Sequence, residues 1–249
     1  MPHFLKTPNL PDGQVCVVAV GEDYAKEIGT ALSAIGIQAI ACPSNLLVDE
    51  RLKSHIDLSL FHLGENRFVI SSYISQSYFS DKLENIGAKI IVSDSKLKPD
   101  YPYDASLCAL SVGEELFHNL KYSDKMLIDN SCCKKIHVNQ GYAKCAVCLL
   151  SNTAAITADA GLAKAMKNEG IDVLEISSEG IELKGYNEGF IGGASLKISR
   201  DKLAFTGNLN NHPNKTDIYE FLKLHKICPV FLTDKPVFDV GSVIPIIEL

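Results

Sequence analysis

The sequence lacks the features that mark membrane, secreted and nucleic-acid-binding proteins. No stretch of about 18 uncharged apolar residues occurs, so we expect no transmembrane helix. The start, Met-Pro-His-Phe-Leu-Lys, has no basic segment followed by an apolar one, so we expect no signal peptide. Basic residues do not predominate: 24 Lys and Arg stand against 30 Asp and Glu, a net charge of −6, which argues against nucleic-acid binding.

Low-complexity segments and long linkers are also missing. Several of the eight cysteines lie inside apolar runs, such as Cys16 and Cys108, which favours buried, reduced thiols in a cytoplasmic protein. A hydrophobic content of 46% excludes intrinsic disorder. The length allows one large domain or two small ones, and we take residues 1–249 as a single domain.

Five segments with helical periodicity are each followed by a turn and a β-branched strand. The predicted helices cover about residues 22–35, 75–86, 113–120, 159–170 and a segment that begins near Asn214. The strands predicted after them are residues 37–42, 88–92, 126–128, 171–176 and 229–232. Gly36, Gly87 and Gly170 mark the ends of three of these helices.

Hairpins are predicted before most of these helices, at residues 58–72, 146–157 and 194–206. Each unit is therefore expected to run strand–strand–helix–strand. The β-rich segment 237–247 has no helix of its own and supplies the strand that the first unit lacks. The sequence thus predicts an α/β fold, a five-bladed α/β propeller closed by the C-terminal strand. The alternative is an open, doubly wound sheet, which would not insert a hairpin before nearly every helix.

Five ββαβ units and three short motifs resemble the pentein fold of the guanidino-modifying enzymes. That superfamily includes arginine and agmatine deiminases, dimethylarginine hydrolase and the amidinotransferases. Here His55-Ile56-Asp57 is similar to their His-x-Asp motif, and Gly192-Gly193 to a glycine pair that opens a strand. The tail Gly241-Ser242-Val243-Ile244-Pro245 is similar to their C-terminal Cys-x-Ser/Thr-x-Pro.

The resemblance implies that His55 acts as a general acid/base and that Asp57 holds a guanidinium group. Two departures from the superfamily pattern indicate a divergent branch, and we therefore do not assign deimination activity to this chain. Gly241 stands where the superfamily has its nucleophilic cysteine, and the His-x-Asp motif lies in an earlier unit than in the deiminases.

Cys145 is the alternative candidate nucleophile. Matching the predicted hairpins places Asp57, Cys145 and Gly193 at equivalent positions around one central pocket. His55 and Asp57, two apart on a predicted strand, would face the same side, and the carboxylate would raise the imidazole pKa. Lys144 would lower the pKa of the Cys145 thiol, and His137 would assist. The competing interpretation of Cys145 is a buried core thiol.

No cofactor and no metal site are predicted. Cys145 and Cys148, three apart on a predicted strand, would point to opposite faces and would not converge on one ion. Cys132 and Cys133 with His137 remain the zinc alternative.

Candidate substrate-binding residues lie in polar and glycine-rich segments. Glu188 would hold a cationic group, Ser195 would hydrogen-bond it, and Gly192 and Gly193 would let the backbone approach it closely. The alternative for this segment is a bend between two units. The remaining candidates are Asn66 and Arg67 at a hairpin tip, where a solvated Arg67 is the competing interpretation. His212 is the last candidate, and its segment is favoured as a plain loop with a helix N-cap. His62 is expected to be a core histidine.

These observations predict a protein that binds a small polar or cationic molecule. Its activity would be thiol-dependent hydrolysis or transfer at an amidino or amide C–N bond of a cationic, amino-acid-like substrate. The alternative is a non-catalytic pentein that serves as a binding or interaction module, because Gly241 replaces the usual nucleophile. We expect neither a nucleic-acid nor a membrane partner, and a homo-oligomer is compatible with the sequence.

Overall fold

The computed structural model describes residues 1–249, and it contains sixteen strands and six α-helices. The strands are β1 (His3–Phe4), β2 (Val15–Gly21), β3 (Gln38–Cys42), β4 (Leu60–Gly64), β5 (Arg67–Ile70), β6 (Lys89–Val92), β7 (Leu110–Val112), β8 (Glu115–His118), β9 (Lys134–His137), β10 (Val147–Ser151), β11 (Ala154–Thr157), β12 (Asp172–Glu175), β13 (Ser195–Ser199), β14 (Lys202–Phe205), β15 (Cys228–Phe231) and β16 (Ile244–Glu248). The helices are α1 (Glu22–Ala34), α2 (Tyr78–Asn85), α3 (Lys125–Asn130), α4 (Ala143–Ala146), α5 (Ala160–Asn168) and α6 (Lys215–Leu224), with a 3-10 turn at Ile56–Leu58.

The strands form five small, separate sheets. Four sheets have three strands each: an antiparallel hairpin, then a helix, then a third strand parallel to the second. In the remaining sheet, of order β1-β16-β2-β3, the C-terminal strand β16 runs antiparallel to β2 and pairs Ile244 with Ala19. This mixed α/β arrangement differs from the single open sheet that was the alternative.

Local sequence explains where the helices begin and end. Asp159 caps α5 by accepting a hydrogen bond of 2.8 Å from the backbone N–H of Leu162. One face of α5 is buried through Leu162 and Met166. The helix ends before Gly170, whose φ of +80° reverses the chain.

The third unit was predicted incorrectly. Residues 113–120 contain the strand β8, because Gly113, with φ of +57°, turns the chain into a hairpin that buries Leu116 and Phe117. Residues 126–128 belong to α3, which Asp124 caps by accepting a 2.9 Å hydrogen bond from the Leu127 N–H. The strand of this unit is β9.

The hydrophobic core is divided into clusters that each join two neighbouring sheets. Phe68 of β5 packs with Ala19 of β2 in one cluster, and Phe205 of β14 packs with Ile156 of β11 in another. Three further clusters join the sheets that contain β4 and β7, β7 and β10, and β13 and β2. Taken in order, these contacts lead from the first sheet through all the others and back to the first. None of the helices is both long and apolar enough to span a membrane.

Candidate functional site

A pocket of about 220 Å³ lies where segments preceding several sheets meet. Its wall is formed by Leu52, His55, Asp57, Leu58, Tyr142, Cys145, Leu183, Tyr186, Glu188, Phe190 and Asp239. His55 and Asp57 lie at a 3-10 turn rather than on a strand, and Cys145 lies in the short helix α4. These two corrections share one cause: tight turns, not extended strands, carry the chain into β4 and β10.

His55, Asp57 and Cys145 form the polar centre of the pocket, and all three are buried. One nitrogen of His55, one carboxylate oxygen of Asp57 and the sulfur of Cys145 lie within 4.8 Å of one another. His55 Nε2 and Asp57 Oδ1 have no hydrogen-bond partner in the protein. Because buried polar atoms are nearly always paired, two unpaired atoms at one pocket indicate that a ligand or water completes them.

Asp239 is a fourth member that the sequence analysis missed. The Cys145 thiol donates to its two carboxylate oxygens over 3.4 and 3.5 Å. The backbone N–H groups of Phe190 and Gly241 donate to the same carboxylate over 2.9 and 2.8 Å, and these bonds hold it in place. The available signal was a lone acidic residue in the apolar segment 237–247.

A buried chain of hydrogen bonds supports Asp57 from behind. The Lys144 ammonium donates to Ser242 Oγ over 3.1 Å, and Ser242 donates to Asp57 Oδ2 over 2.7 Å. Lys144 therefore acts on Asp57 through Ser242, whereas the sequence analysis assigned it to Cys145. With Oδ2 held in this way, Oδ1 remains available to a ligand.

The local charges raise the pKa of two central groups. Burial is the main reason that the pKa of the Cys145 thiol lies well above its ordinary value, and the charges of Asp239 and Asp57 raise it further. Lys144 acts in the opposite direction but is outweighed. Burial also raises the pKa of Asp57, against the lowering effects of His55, Ser242 and Lys144. In the free protein, Cys145 is thus a protonated thiol at neutral pH.

Two glycines leave room for these side chains. A Cβ atom at Gly241, where φ is +67°, would lie 2.1 Å from Cγ of His55. A Cβ atom at Gly193 would lie 1.9 Å from Asp239 Oδ1 and 2.5 Å from the Cys145 sulfur. The position that resembles the nucleophile site of the guanidino-modifying enzymes is therefore occupied by the His55 ring, and no side chain fits there.

Aromatic rings and leucines form the rest of the pocket wall. Tyr142 and Phe190 have ring centroids 6.3 Å apart, and the Tyr142 hydroxyl donates to Asp104 over 2.6 Å. At the rim, the Arg51 guanidinium lies 4.1 Å above the Tyr186 ring. An open groove next to the pocket shares Leu183, Tyr186 and Asp239 with it and is also lined by Asp23, Glu27, Glu182, Lys184 and Lys235.

The other predicted site residues are placed as follows. Glu188 lines the pocket at its exposed side and accepts a hydrogen bond from Ser178. Gly193 contacts the pocket through its backbone, since its N–H donates to the carbonyl oxygen of Cys145 over 2.8 Å. Gly192 is buried beside the backbone of Val147.

The structure does not bring the remaining candidates to this pocket. Ser195 lines a small internal space beside Lys144 and Lys197, and Asn66 donates to the carbonyl oxygen of Gly87. Arg67 donates to the carbonyl oxygen of Asn130, and His212 accepts from the N–H of Asn214.

Histidines and cysteines outside the pocket make hydrogen bonds or packing contacts with other parts of the fold. His137 is exposed and accepts a hydrogen bond from the N–H of Leu120, and Cys133 contacts Ser111. His62 is buried and stacks on Phe68, and burial lowers its pKa to about 4. All eight cysteines are free thiols.

A family described as "Family of unknown function (DUF6873)" matches residues 19–244. No curated protein matches the sequence. Several solved structures share the fold. Inosamine-phosphate amidinotransferase StrB1 from Streptomyces griseus is 10% identical with a TM-score of 0.56, and the match covers 97% of each chain.

A C. jejuni agmatine deiminase with substrate bound, studied as a cysteine-to-serine mutant, is 10% identical with a TM-score of 0.55, over 93% of this chain and 91% of that one. A Pseudomonas aeruginosa DDAH mutant in complex with citrulline is 11% identical with a TM-score of 0.51, over 88% and 93%. At these identities the likeness concerns the fold. The chain thus has the pentein fold of the guanidino-modifying enzymes, as the resemblance in its motifs predicted.

Proposed function

The chain belongs to the DUF6873 family, whose function is unknown, and from the geometry of its pocket we propose that it binds a small cationic guanidino or amino compound and cleaves a C–N bond in it. The observation that carries the proposal is that His55, Asp57 and Cys145 line one pocket with their donor atoms within 4.8 Å of one another, while His55 Nε2 and Asp57 Oδ1 have no hydrogen-bond partner. The neighbours that share this fold act on, or are bound to, compounds such as agmatine and citrulline by their descriptions.

The charges around the pocket favour a cation. Asp57, Asp239 and Glu188 contribute carboxylates, and the buried ammonium of Lys144, behind Asp57, is bound to Ser242. The free oxygen Asp57 Oδ1 is placed to accept an N–H from a guanidinium or ammonium group. A bound cation would offset the mutual repulsion of these carboxylates, which in a buried site is weakly screened.

The aromatic wall favours a flat cation. A guanidinium group stacks on aromatic faces and gains up to about 2 kcal/mol when it is shielded from water. Tyr142, Tyr186 and Phe190 provide such faces around the carboxylates. The volume of about 220 Å³ accommodates a small molecule, and the adjoining groove leaves space for an attached chain.

The reaction would use Cys145 as the nucleophile and His55 as the acid/base. Cys145 gives its proton to His55, and the sulfur adds to the amidine carbon. The C–N bond then breaks as the leaving nitrogen takes that proton, which releases an amine or ammonia. Water adds to the S-bound intermediate, gives a proton to His55, and regenerates the thiol with release of a urea. With an amine in place of water the same steps give amidino transfer.

The cation itself would activate the thiol. A positive charge between Asp57 and Asp239 stabilises a thiolate at Cys145 and lowers its pKa from the raised value of the free protein. Lys144 and Ser242 would act as positioning residues, because they hold the carboxylate of Asp57.

We further propose that the five sheets form one closed five-bladed α/β propeller spanning residues 1–249. The hydrophobic clusters that join each sheet to two neighbours support this arrangement, as does the pairing of β16 with β2. Such a ring leaves each sheet only short edges and brings the turns before β4, β10 and β16 to one pocket.

A second candidate function is a non-catalytic binding protein. It is favoured by the raised pKa of Cys145 and by Gly241, where the superfamily carries its nucleophile. The two functions share the ligand and differ in the thiol. Release of ammonia or a urea from a bound guanidino compound supports catalysis, whereas tight binding without any product supports the second candidate.

Ligand binding is expected to depend on Asp57. A thermal-shift screen of arginine, agmatine, creatine and simple alkylguanidines should find a compound that raises the unfolding temperature, because a ligand of the native state stabilises it by mass action. Asp57→Asn should abolish that shift, and Asp12→Asn, at an exposed aspartate, should preserve it. An equal shift in Asp57→Asn would contradict the proposed ligand site.

The same variant is expected to increase the free energy of unfolding at neutral pH. Because the folded-state pKa of Asp57 is raised, the ionised carboxylate destabilises the native state above that pKa, and asparagine removes the charge. The difference between variant and wild type in urea unfolding should shrink as the pH falls through the raised pKa, where Asp57 is protonated. A difference that does not change with pH would refute this interpretation.

Alkylation of Cys145 by iodoacetamide should be slow in the free protein. It should accelerate as the pH rises above the ordinary pKa of a cysteine thiol. Only the thiolate reacts, and each unit of raised pKa lowers its fraction about tenfold. The exposed Cys132 and Cys228 serve as internal references in a peptide map. Labelling of Cys145 as fast as theirs at neutral pH would show that the thiol is not protonated as described.

A further inference from the structure

We propose that His55 Nε2, Asp57 Oδ1 and the Cys145 sulfur form a binding site for a divalent ion of the zinc type, with the fourth position left to water. The proposal goes beyond guanidino chemistry, because it rests on the donor atoms alone. It also departs from the expectation that the chain has no metal site. His55 and Asp57 lie two positions apart, but no pair has the Cys-x2-Cys or His-x3–5-His spacing by which zinc sites are recognised in a sequence.

The donor set has the composition that zinc prefers. Imidazole nitrogen, thiolate sulfur and carboxylate oxygen bind zinc at 2.0–2.3 Å in a tetrahedron, so that neighbouring donors lie roughly 3.5 Å apart. Here the donor atoms of His55, Asp57 and Cys145 lie within 4.8 Å of one another. Movements of about 1 Å in these side chains would close the site. Cys145 would release its proton to solvent on binding.

The orphaned atoms support a ligand of this kind. His55 and Asp57 have less than a tenth of their surface exposed, and yet His55 Nε2 and Asp57 Oδ1 have no hydrogen-bond partner. Each has a lone pair that a metal ion accepts, and the pocket provides a path from solvent.

The surrounding hydrogen bonds resemble the outer shell of a metal site. Ser242 donates to Asp57 Oδ2, the oxygen that would not bind the ion. Asp239, held by the backbone N–H groups of Phe190 and Gly241, contacts the Cys145 sulfur. Such contacts hold ligands in position, and their removal typically weakens metal binding 10–100-fold.

Metal binding and thiol chemistry exclude each other at this site. A sulfur that is bonded to the ion cannot attack a substrate, and the ion would occupy the place of the organic cation. The metal-loaded protein would therefore be inactive and would be restored by a chelator.

Cobalt(II) is a suitable probe, because a cobalt–thiolate bond produces a charge-transfer absorption that other ligands do not. One equivalent of Co²⁺, titrated into the full-length, metal-stripped protein under reducing conditions, should produce this band, and Zn²⁺ should remove it. Cys145→Ser should abolish the band, His55→Ala should weaken binding at least tenfold, and Ser242→Ala should weaken it 10–100-fold.

Matched controls separate this site from other thiols. Cys148→Ser removes a buried cysteine outside the pocket and should leave the titration unchanged. Absence of the band in the wild type overturns the proposal, as does a band that survives Cys145→Ser but disappears in Cys132→Ser/Cys133→Ser. Circular dichroism confirms that each variant is folded. Thermal shifts with organic cations are measured separately, so either proposal can fail while the other stands.

Discussion

Cys145→Ser is expected to reduce cleavage of a bound guanidino compound by about 10³-fold or more, since loss of a nucleophile removes the covalent route itself. Binding should change little, because the carboxylates and aromatic rings that hold the cation are untouched. The measurement is release of ammonia or a urea, together with the thermal shift produced by the same compound.

Cys148→Ser is the matched control. This cysteine is buried three residues further along the chain, in the cluster between β10 and α6, and does not line the pocket. It should retain full activity. If Cys145→Ser also remained fully active, Cys145 would not be the nucleophile, and if neither protein nor variant formed product while both bound the ligand, the non-catalytic function would be favoured.

Gly241→Ala is expected to lower the free energy of unfolding by about 2–5 kcal/mol. Two costs combine: a left-handed backbone conformation costs an L-residue about 1–2 kcal/mol, and overpacking a buried site typically costs about 1–3 kcal/mol. The added Cβ would lie 2.1–2.3 Å from three atoms of His55, including its backbone Cα. Gly241→Cys should therefore destabilise the protein without creating a nucleophile.

Gly36→Ala isolates the backbone contribution. Gly36 also has a positive φ, +81°, but a Cβ there would meet no atom within 4 Å. Urea unfolding should show a loss of about 1–2 kcal/mol for Gly36→Ala and a clearly larger loss for Gly241→Ala. Equal losses would mean that His55 moves aside without cost, and the tight contact between these two residues would then not determine what position 241 accepts.

Much of the architecture could be predicted from the sequence because it depends on short-range patterns of residues. The apolar periodicity of residues 22–35 and 75–86 predicted α1 and α2, and the turns at residues 64–66 and 151–152 predicted hairpins that the structure contains. The prediction failed in the third unit, where Gly113 and the cap at Asp124 compete with a short helical pattern. Short segments carry too little periodicity to resolve such competition.

The candidate site could be predicted from the sequence only in part. Resemblance and residue chemistry singled out His55, Asp57 and Cys145, and the structure brings them together. The same reasoning also selected Arg67 and His212, which lie at other places in the fold. Nothing in the local pattern distinguishes these two groups, since polar residues near turns look alike in a sequence.

By itself, the sequence determined most of the strands and helices and the free state of the cysteines, and it included His55, Asp57 and Cys145 among the candidates, because each depends on neighbouring positions or on residue type. Only the tertiary structure decided that Asp239 faces Cys145 and that Ser242 holds Asp57. The latter pair is separated by 185 positions, so their contact follows from how the sheets pack together. The direction of the Cys145 pKa was likewise decided by burial and by these distant carboxylates, which outweigh the adjacent Lys144.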